Sequence, residues 1–435
     1  MKIRNFRKLA ATPAREIALK MAEAGLEAVD TATVLEKSLG ADGNRLSASG
    51  RDFELSTEGR LIAVLIGKCA GSAAPVFERM LGDRLNSGIA LGVGKYGGPV
   101  LNKIIYHAGS HPMPTEDNLL GTRAMLNSLH GLSSGDTVVF LVSGGGSTLL
   151  VQPPCVAERA SELVDEEKAM MESLFAAGAA IQEINVLRKH MSLARGGFLA
   201  EAAHPAQVIS MIFSDVPGND MGFIASGPTV KDATTVKDAE AIMKKYGLDL
   251  SHECLTETPK DDEYFKRVYN ILALSNDTAL AAMKKTGESL GYAVAVNNAR
   301  ITGEARDAGV SIAGEANAAK PGTILLYCGE TTVTLRGKGG RGGRNQEVAL
   351  SALPHVKEGR LVMSLASDGK DNGDHAGALA DAGAARAAKS QNLDPADFLA
   401  RNDSSAFFEK LGDGLIETGP TGSNVSDLMM AVVGK

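Results

Sequence analysis

The stretch DTVVFLVSGGGSTLL, residues 136–150, joins an apolar run to three consecutive glycines. The apolar run is typical of a strand that is buried on both faces, as in a parallel sheet. One interpretation of the glycines is a tight strand-to-helix turn, because glycine adopts the positive φ angles that such turns need. The other is an anion-binding loop of backbone N–H groups and hydroxyls. The candidate loop consists of Ser143, Gly144, Gly145, Gly146 and Ser147.

Further apolar runs predict the fold class. They end in Gly, Ser or Asp at 61–68, 87–94 and 208–218, and helical patterns lie between several of them. This alternation indicates an α/β protein with a parallel sheet. A second set of strands is predicted at 270–277, 292–298, 322–330, 331–337 and 361–369.

A polar, charged segment at 248–266 precedes the second set of strands, and we place a domain boundary in it. The predicted domains are therefore residues 1–248 and 249–435. A chain of 435 residues is too long for one ordinary core, which agrees with two domains.

Composition excludes several classes of protein. Hydrophobic residues make up 44% and charged residues 22% of the chain, as in globular proteins. The net charge of −7 argues against nucleic acid as the main partner. The first thirty residues lack the apolar core of a signal peptide, and no apolar run is long enough to cross a membrane. The widely spaced Cys69, Cys155, Cys254 and Cys328 form no C-x-x-C pair, which predicts a reducing, cytoplasmic location.

Two charged residues follow predicted strands of the N-terminal domain. Lys68 ends the first strand and precedes a helical pattern; it is either a solvated strand end or a cation that reaches a ligand phosphate. Asp215 leaves the strand at 208–218; it either caps the turn or serves a metal, a cation or a reacting hydroxyl.

The segment RGKGGRGGRNQEVAL, residues 336–350, concentrates four basic residues among glycines in an acidic protein. Nucleic-acid-binding RGG segments are usually long and disordered, whereas this is one loop between a strand pattern and a helical pattern, which favours a single ligand. Arg344 can hold phosphate oxygens bidentately, and its neighbours Gly343 and Asn345 lie where a helix N-terminus favours an anion.

The segment ASDGKDNGDHAGALAD, residues 366–381, is rich in aspartate. It lacks the register of an EF-hand loop, so it indicates hard-cation or hydroxyl chemistry only weakly. Asp368 is the candidate ligand from this segment.

The segment GVGKYG, residues 92–97, matches G-x-G-x-x-G formally. A dinucleotide-binding fingerprint must open a helix, but Pro99 and a strand-like pattern follow here. The Walker and protein-kinase signatures are absent from the sequence.

Several longer motifs resemble one known family. They are GKCAGSA (67–73), VGKYGGP (93–99), AGSHPMPTEDN (108–118), LRKHMSLARGGFLA (187–200), SDVPGNDMGFIASGPTV (214–230), GEARDAG (303–309), GGRNQEVAL (342–350) and NDSSAFFEKLGDGLIETGPTGSNVSDL (402–428). With the triple-glycine loop, these motifs resemble class II glycerate 2-kinases, whose C-terminal part is called the MOFRL domain. The resemblance covers nearly the whole chain.

The resemblance implies an N-terminal, Rossmann-like parallel sheet and a smaller C-terminal α/β domain with a MOFRL region at about 322–430, with the active site in the cleft between them. It also implies phosphorylation of D-glycerate to 2-phosphoglycerate, with ATP and Mg²⁺. One alternative is an NAD(P)-dependent hydroxypyruvate reductase. Another is a non-catalytic protein that binds nucleotides or sugar acids.

Phosphoryl transfer requires mainly positioning and charge neutralisation, which suggests roles for the candidate residues. Lys68 and Arg344 would neutralise the transferring group, and Arg195 or the glycine loop would hold the substrate carboxylate. Asp215 is the candidate metal ligand or base, with Asp368 as a second metal ligand. Mg²⁺ would bridge the nucleotide phosphates with few protein carboxylates. The sequence leaves open whether the protein is a monomer or a homodimer.

Overall fold

The described residues form two compact units. The parallel-sheet unit is Thr31–Leu274, and the mixed-sheet unit combines Met1–Asp30 with Ser275–Lys435. The boundary predicted after residue 248 therefore falls inside the parallel-sheet unit. The computed structural model describes residues 1–154, 160–248, 254–297, 300–336 and 339–435. Cys155, Lys338 and residues 249–253 of the predicted linker lie outside the described residues.

The helices and strands follow in chain order. The helices of the described residues are α1 (Phe6–Leu9), α2 (Pro13–Ala28), α3 (Thr31–Ser38), α4 (Ala70–Leu81), α5 (Glu116–Ser128), α6 (Gly146–Leu149), α7 (Ala160–Ala176), α8 (Ile181–His190), α9 (Phe198–Ala203), α10 (Val236–Tyr246), α11 (Asn276–Ser289), α12 (Ala305–Ala318), α13 (Arg344–Ala352), α14 (Ala382–Ser390), α15 (Pro395–Ala400) and α16 (Ser404–Leu411). The strands are β1 (Leu39–Asp42), β2 (Arg45–Ala48), β3 (Arg51–Glu54), β4 (Leu61–Gly67), β5 (Ser87–Val93), β6 (Ile104–Gly109), β7 (Thr137–Val142), β8 (Gln207–Phe213), β9 (Val268–Leu274), β10 (Ala293–Val296), β11 (Thr323–Gly329), β12 (Arg360–Ala366), β13 (Gly377–Asp381), β14 (Leu415–Ile416) and β15 (Asp427–Val433). Among these helices, none is both long and apolar enough to span a membrane.

The main sheet of the parallel-sheet unit has the strand order β6-β5-β4-β7-β8-β9, and every neighbouring pair is parallel. This confirms the predicted parallel α/β fold. The central strands β4 and β7 are buried along their whole length, as their apolar sequences predict. The chain builds outward from β4 to one edge and then from β7 to the other. In doubly wound sheets, ligands bind at the carboxyl ends of the strands beside this reversal.

Strand β9 corrects one prediction. The apolar run at 270–277 was expected to open the second domain, but Val268–Leu274 pairs with β8 as an edge strand of the parallel sheet. The described part of the polar segment that precedes β9 therefore belongs to the parallel-sheet unit. A three-stranded antiparallel sheet of β1, β2 and β3 completes the sheets described in this unit.

The mixed-sheet unit contains a sheet of order β10-β11-β15-β12-β13-β14, in which only β10 and β11 pair in parallel. The fully buried strand β15 lies at its centre. The predicted strand at 331–337 is wrong: its described part forms only an isolated bridge at Thr332. The backbone N–H and hydroxyl of Thr334 instead donate to the carboxylate of Glu304.

The N-terminal helix α2 belongs to the mixed-sheet unit because it packs on α11. A Cβ atom at Gly25 would lie 2.9 Å from Cγ of Met283, so the two helices approach closely. The buried guanidinium of Arg15 donates to Asp381 and Asp413. These contacts explain why the first thirty residues join the C-terminal part of the chain.

Candidate functional site

The carboxyl ends of β4 and β7 are joined by backbone and hydroxyl contacts at the reversal of strand order. The backbone N–H of Lys68 donates to the carbonyl of Gly144 at 2.9 Å. The buried hydroxyl of Ser143 donates to the carbonyl of Ile66 at 2.9 Å and accepts from the N–H of Cys69 at 3.2 Å. Because the Ser143 hydroxyl already holds the two strand ends together, its predicted contact with a ligand stays a prediction.

Three candidate site side chains lie close to the triple glycine. A Cβ atom at Gly144 would lie 1.7 Å from Oδ2 of Asp215, and one at Gly145 would lie 3.3 Å from Cγ of Lys68 and from Cδ2 of His111. Gly145 also has a φ of +85° and precedes the short helix α6. The glycines thus form the tight turn of the first interpretation and leave room for charged side chains around it. The anion-binding loop of the second interpretation stays a prediction.

A strained segment packs against this loop. Ala225, Ser226 and Gly227 have φ angles of 52°, 60° and 60°, all in the left-handed region. A Cβ atom at Gly146 would lie 2.4 Å from Cβ of Ala225, and the Ser226 hydroxyl donates to that of Ser147 at 2.9 Å. Left-handed conformations of non-glycine residues cost about 1–3 kcal/mol each and concentrate at functional sites. The segment therefore belongs to the candidate site, although its sequence gave it no role.

Sequence reasoning missed His111 and Arg188. Burial of the imidazole is the main cause that lowers the pKa of His111 to about 4. The positive charges of Lys68 and Arg188 add to this shift. His111 is therefore neutral at pH 7. Burial, followed by the charge of Arg195, lowers the pKa of Arg188 to about 10, so this residue stays protonated. Both residues lie in motifs of the family resemblance, where charge alone did not single them out.

Arg195 has an internal role in the structure. It is fully buried, and its Nη2 donates to Oε1 of Glu167 at 2.8 Å. Its Nη1 donates to the backbone carbonyl of Arg188 at 3.0 Å. These contacts occupy two nitrogens of the guanidinium inside the protein. The predicted contact of Arg195 with a substrate carboxylate has no support from this geometry and stays a prediction.

Arg344 is the first residue of α13 in the mixed-sheet unit. Its Nε and Nη2 donate to the two carboxylate oxygens of Asp427 at 2.5 and 3.1 Å, and its Nη1 lies 3.2 Å from Oε1 of Glu330. Burial opposes the charge, but the contacts with Asp427 raise the pKa of Arg344. Burial raises the pKa of Asp427 to about 6, although Arg344 counteracts this shift. Arg344 therefore makes a bidentate contact with a protein carboxylate, and its predicted contact with phosphate stays a prediction.

The N-terminus of α13 already holds an anion. The buried carboxylate of Asp371 accepts from the backbone N–H groups of Asn345 and Gln346 at 3.0 and 2.8 Å. The Asn345 amide is fully buried and also donates to Asp427 at 2.9 Å. A Cβ atom at Gly343 would lie 2.3 Å from Oδ1 of Asp371. Gly343 and Asn345 thus accommodate Asp371, and their predicted phosphate contacts stay predictions.

No group of three or more His, Cys, Asp or Glu side chains suited to a metal occurs among the described residues. Asp368 lies in the loop after β12, where one carboxylate oxygen accepts from the N–H of Lys370 at 2.9 Å. Asp215 lies against Gly144, as described above. Each can offer single oxygen ligands of the kind that Mg²⁺ takes when phosphates and water complete its coordination.

The formal G-x-G-x-x-G match forms no dinucleotide site of the Rossmann type. Strand β5 ends at Val93, and the next helix or strand is β6, which begins at Ile104. No helix N-terminus follows the glycines to receive a pyrophosphate, as the sequence predicted.

Comparison with known proteins gives consistent matches. Residues 17–256 match a "Domain of unknown function (DUF4147)", and residues 323–427 match the "MOFRL family". The chain is 34% identical to a glycerate 2-kinase of Pyrococcus horikoshii, with 96% of this chain and 97% of that protein covered. It is 36% identical to a D-glycerate 2-kinase of Thermotoga maritima, over 86% of this chain and 91% of that protein. The crystal structure of glycerate kinase from Thermotoga maritima superimposes with a TM-score of 0.84 at 31% identity, covering 96% of this chain and 99% of that one.

The two α/β units and these relatives define a kinase, which confirms the predicted enzyme class and overturns the alternative of a non-catalytic binding protein. The chain belongs to the glycerate kinase family, whose C-terminal part is the MOFRL domain. Some relatives carry the name "Putative hydroxypyruvate reductase", but they belong to this same family.

Proposed function

We propose that the protein transfers the γ-phosphoryl group of ATP to the 2-hydroxyl of D-glycerate, giving 2-phospho-D-glycerate and ADP, in the cytoplasm. Family membership supports glycerate as the acceptor. The observation that carries the proposal is the position of Lys68 beside the triple-glycine loop, where the strand order of the parallel sheet reverses. Such a position suits an anionic ligand.

Lys68 and Arg344 are the cations that act on the transferring phosphoryl group in this proposal. The loose transition state of phosphoryl transfer spreads negative charge over three oxygens, and fixed cations stabilise it. The Arg344 side chain is 34% exposed, and Asp427 holds the orientation of its guanidinium. The Ser143–Ser147 loop contributes backbone N–H groups toward an anion.

Asp215 is the proposed base. Its carboxylate accepts the proton of the 2-hydroxyl while the bond from that oxygen to the γ-phosphorus forms. The bond between the γ-phosphorus and the bridging oxygen breaks, and ADP leaves with the electron pair. The absence of a side chain at Gly144 allows the carboxylate to lie directly against the loop.

Mg²⁺ would supply positive charge to the nucleotide phosphates, with Asp215 and Asp368 as the carboxylates that could each provide a ligand. The lack of a larger acidic cluster among the described residues suits an ion held mainly by phosphates and water.

The site of phosphorylation distinguishes this proposal from 3-phosphorylation. A carboxylate bound near the cations presents the adjacent 2-hydroxyl to the donor, whereas a distant anchor would present the 3-hydroxyl. The test supplies ATP, D-glycerate and enolase without phosphoglycerate mutase and follows phosphoenolpyruvate by its ultraviolet absorbance. Immediate formation of phosphoenolpyruvate is expected. Formation only after mutase is added would identify the 3-hydroxyl and overturn the assignment.

The reductase alternative is tested separately with hydroxypyruvate and NADH or NADPH. Because no helix follows the glycines of residues 92–97, we expect no oxidation of either cofactor. ADP release measured across a panel of small hydroxy acids, with L-glycerate included, then defines the acceptor and its stereochemistry.

A further inference from the structure

We infer that Arg188 binds the carboxylate of the substrate, and that the buried ion pair between Arg195 and Glu167 positions it. The inference rests on the proposed function, because it names the residue that recognises a small hydroxy acid at that site. Arg188 thereby takes the role that the sequence suggested for Arg195.

The Arg188 guanidinium lacks an ion-pair partner among the described residues. Its buried Nε also has no hydrogen-bond partner in this part of the chain. The neighbouring Lys189 differs, because its Nζ donates to the buried Asp232 at 2.9 Å. The nearby carboxylate of Glu167 favours the charged form of Arg188, but it forms its ion pair with Arg195. A half-buried cation without an ion pair of its own is costly unless a ligand supplies the negative charge.

Helix α8 carries Arg188 on the face that also contacts the segment beside the glycine loop. Asn185 and Arg188 are three residues apart and share one helix face. The Asn185 amide donates to the carbonyl of Gly222 at 3.4 Å, just before the strained segment that packs on the glycine loop. The face of α8 that carries Arg188 is therefore turned toward the candidate site.

The charges around His111 agree with this orientation of α8. Lys68 and Arg188 both lower the pKa of His111, so both charges lie near the imidazole. Lys68 also lies against Gly145. Two cations around a neutral histidine favour an anion between them. A planar guanidinium suits a carboxylate through two parallel hydrogen bonds, whereas the lysine ammonium acts as a point charge on phosphate.

Arg195 and Glu167 hold the backbone that carries Arg188. The Arg195 side chain donates to the Arg188 carbonyl at 3.0 Å and to Glu167 at 2.8 Å, with both side chains buried. The two residues after Arg195 also bond to the strained segment: the N–H groups of Gly196 and Gly197 donate to the carbonyls of Ser226 and Gly227. The pair thus links the end of α8 to the strained segment without contact with the substrate.

The test compares Arg188→Ala with Arg79→Ala, which removes an exposed arginine from helix α4 of the same unit. Loss of a charged hydrogen bond corresponds to about a 10- to 100-fold change, and we expect this rise in KM for glycerate with KM for ATP little changed. Calorimetric titration of the ATP-free protein with glycerate should show the same loss of affinity. Arg79→Ala should match the wild type. Unchanged glycerate affinity in Arg188→Ala would overturn the inference.

A second substrate identifies the group that Arg188 recognises. Glyceramide replaces the carboxylate with a neutral amide, so the wild type should prefer glycerate strongly and Arg188→Ala should lose most of this preference. If Arg188→Ala lowered the affinity for glycerate and for glyceramide by the same factor, the effect would be structural and the inference would be overturned. If wild-type protein does not turn over glycerate, the proposed function fails. The inference about Arg188 is then judged by calorimetry with a series of small carboxylates, in which undiminished binding to Arg188→Ala overturns it.

The positioning pair is tested with Glu167→Gln, which keeps the shape of the side chain. We expect a raised KM for glycerate and partial recovery of Arg188→Ala, but not of Glu167→Gln, by added guanidinium ion. Rescue of neither variant, with normal folding by circular dichroism, would contradict the assignment of distinct roles. Arg188→Lys provides a folded variant in case Arg188→Ala does not fold, and it should bind glycerate more weakly than the wild type.

Discussion

Each of the two units contains an arginine to which we assign a role in the reaction, but the protein groups around the two arginines differ. In the mixed-sheet unit, Arg344 is held by both oxygens of Asp427 and lies near Glu330. In the parallel-sheet unit, the described residues give the guanidinium of Arg188 no ion pair. An arginine with protein carboxylates is oriented in advance, which suits a charge that develops only in the transition state. One without such a partner suits an anion that is already present in the bound substrate.

The largest expected effect tests the oriented arginine. Arg344→Lys should lower kcat by about 10²-fold or more, because a point charge cannot reproduce the bidentate geometry of a guanidinium. Lys68→Ala should have a similar effect. The control is Arg341→Lys, at an exposed residue of the same loop that pairs with Glu409. Near-normal turnover in Arg344→Lys would assign the arginine and Asp427 to a purely structural role.

The second prediction is that the buried carboxylate of Asp427, which orients Arg344, lowers the free energy of unfolding at neutral pH. The pKa of Asp427 is raised to about 6 in the folded protein, above the ordinary value of about 3.9. The folded state therefore binds more protons than the unfolded state between these values, and this contribution to stability is lost as pH rises through 6. Relative to Asp427→Asn, the wild type should lose about 2–3 kcal/mol of unfolding free energy from pH 4 to pH 7.

Denaturant unfolding of both proteins at several pH values measures this difference, and the comparison cancels the other titrating groups. Asp374→Asn, at an exposed position of the same unit, controls for removal of a carboxylate. A difference that stays constant with pH would show that Asp427 does not change its protonation in this range.

The sequence predicts those site residues that directly follow buried strands. Lys68, the glycine loop and Asp215 each follow such a strand, and parallel strands bring their carboxyl ends to one edge of the sheet. The sequence could not select Arg188, because Arg188, Lys189 and Arg195 carry the same charge within one motif. Only the fold pairs Lys189 with Asp232 and Arg195 with Glu167.

The same limit applies to the fold. The apolar run at 270–277 predicts β9, but local periodicity does not state which sheet a strand joins, and β15 was not among the predicted strands. β9 extends the parallel sheet, and β15 enters the centre of the mixed sheet, both through pairing with strands distant in sequence. The carboxylate Asp427 reaches Arg344 for this reason, since it is the first residue of β15.

The third prediction tests the close packing of the glycine loop. Gly144→Ala should lower kcat by roughly 10-fold, because a Cβ atom 1.7 Å from Oδ2 of Asp215 must displace the carboxylate. Gly40→Ala is the matched control: Gly40 lies in β1 without any atom of the described residues within 4 Å of the added Cβ position. Steady-state kinetics and thermal unfolding of both variants separate activity from stability. Normal kcat in Gly144→Ala would remove Asp215 from the mechanism.

The smallest expected effect tests the arrangement of charges around His111. Packing is the larger cause of its lowered pKa, and the charges of Lys68 and Arg188 add to it. Removing one charge in Lys68→Met or Arg188→Met should therefore raise the pKa from about 4 by roughly one unit, without restoring the ordinary value of about 6.5. Nuclear magnetic resonance of the imidazole between pH 3 and 8 measures this shift, with Arg79→Met as the control. Because the pKa of His111 is lower in the folded state than in the unfolded state, the unfolded state binds more protons between pH 6.5 and 4. The free energy of unfolding should therefore fall as pH falls through this range. Unchanged titration in both variants would mean that the two cations do not share the surroundings of His111. Arg188 would then lie too far from Lys68 and His111 to bind the same substrate, whereas Arg344 has its position fixed by Asp427.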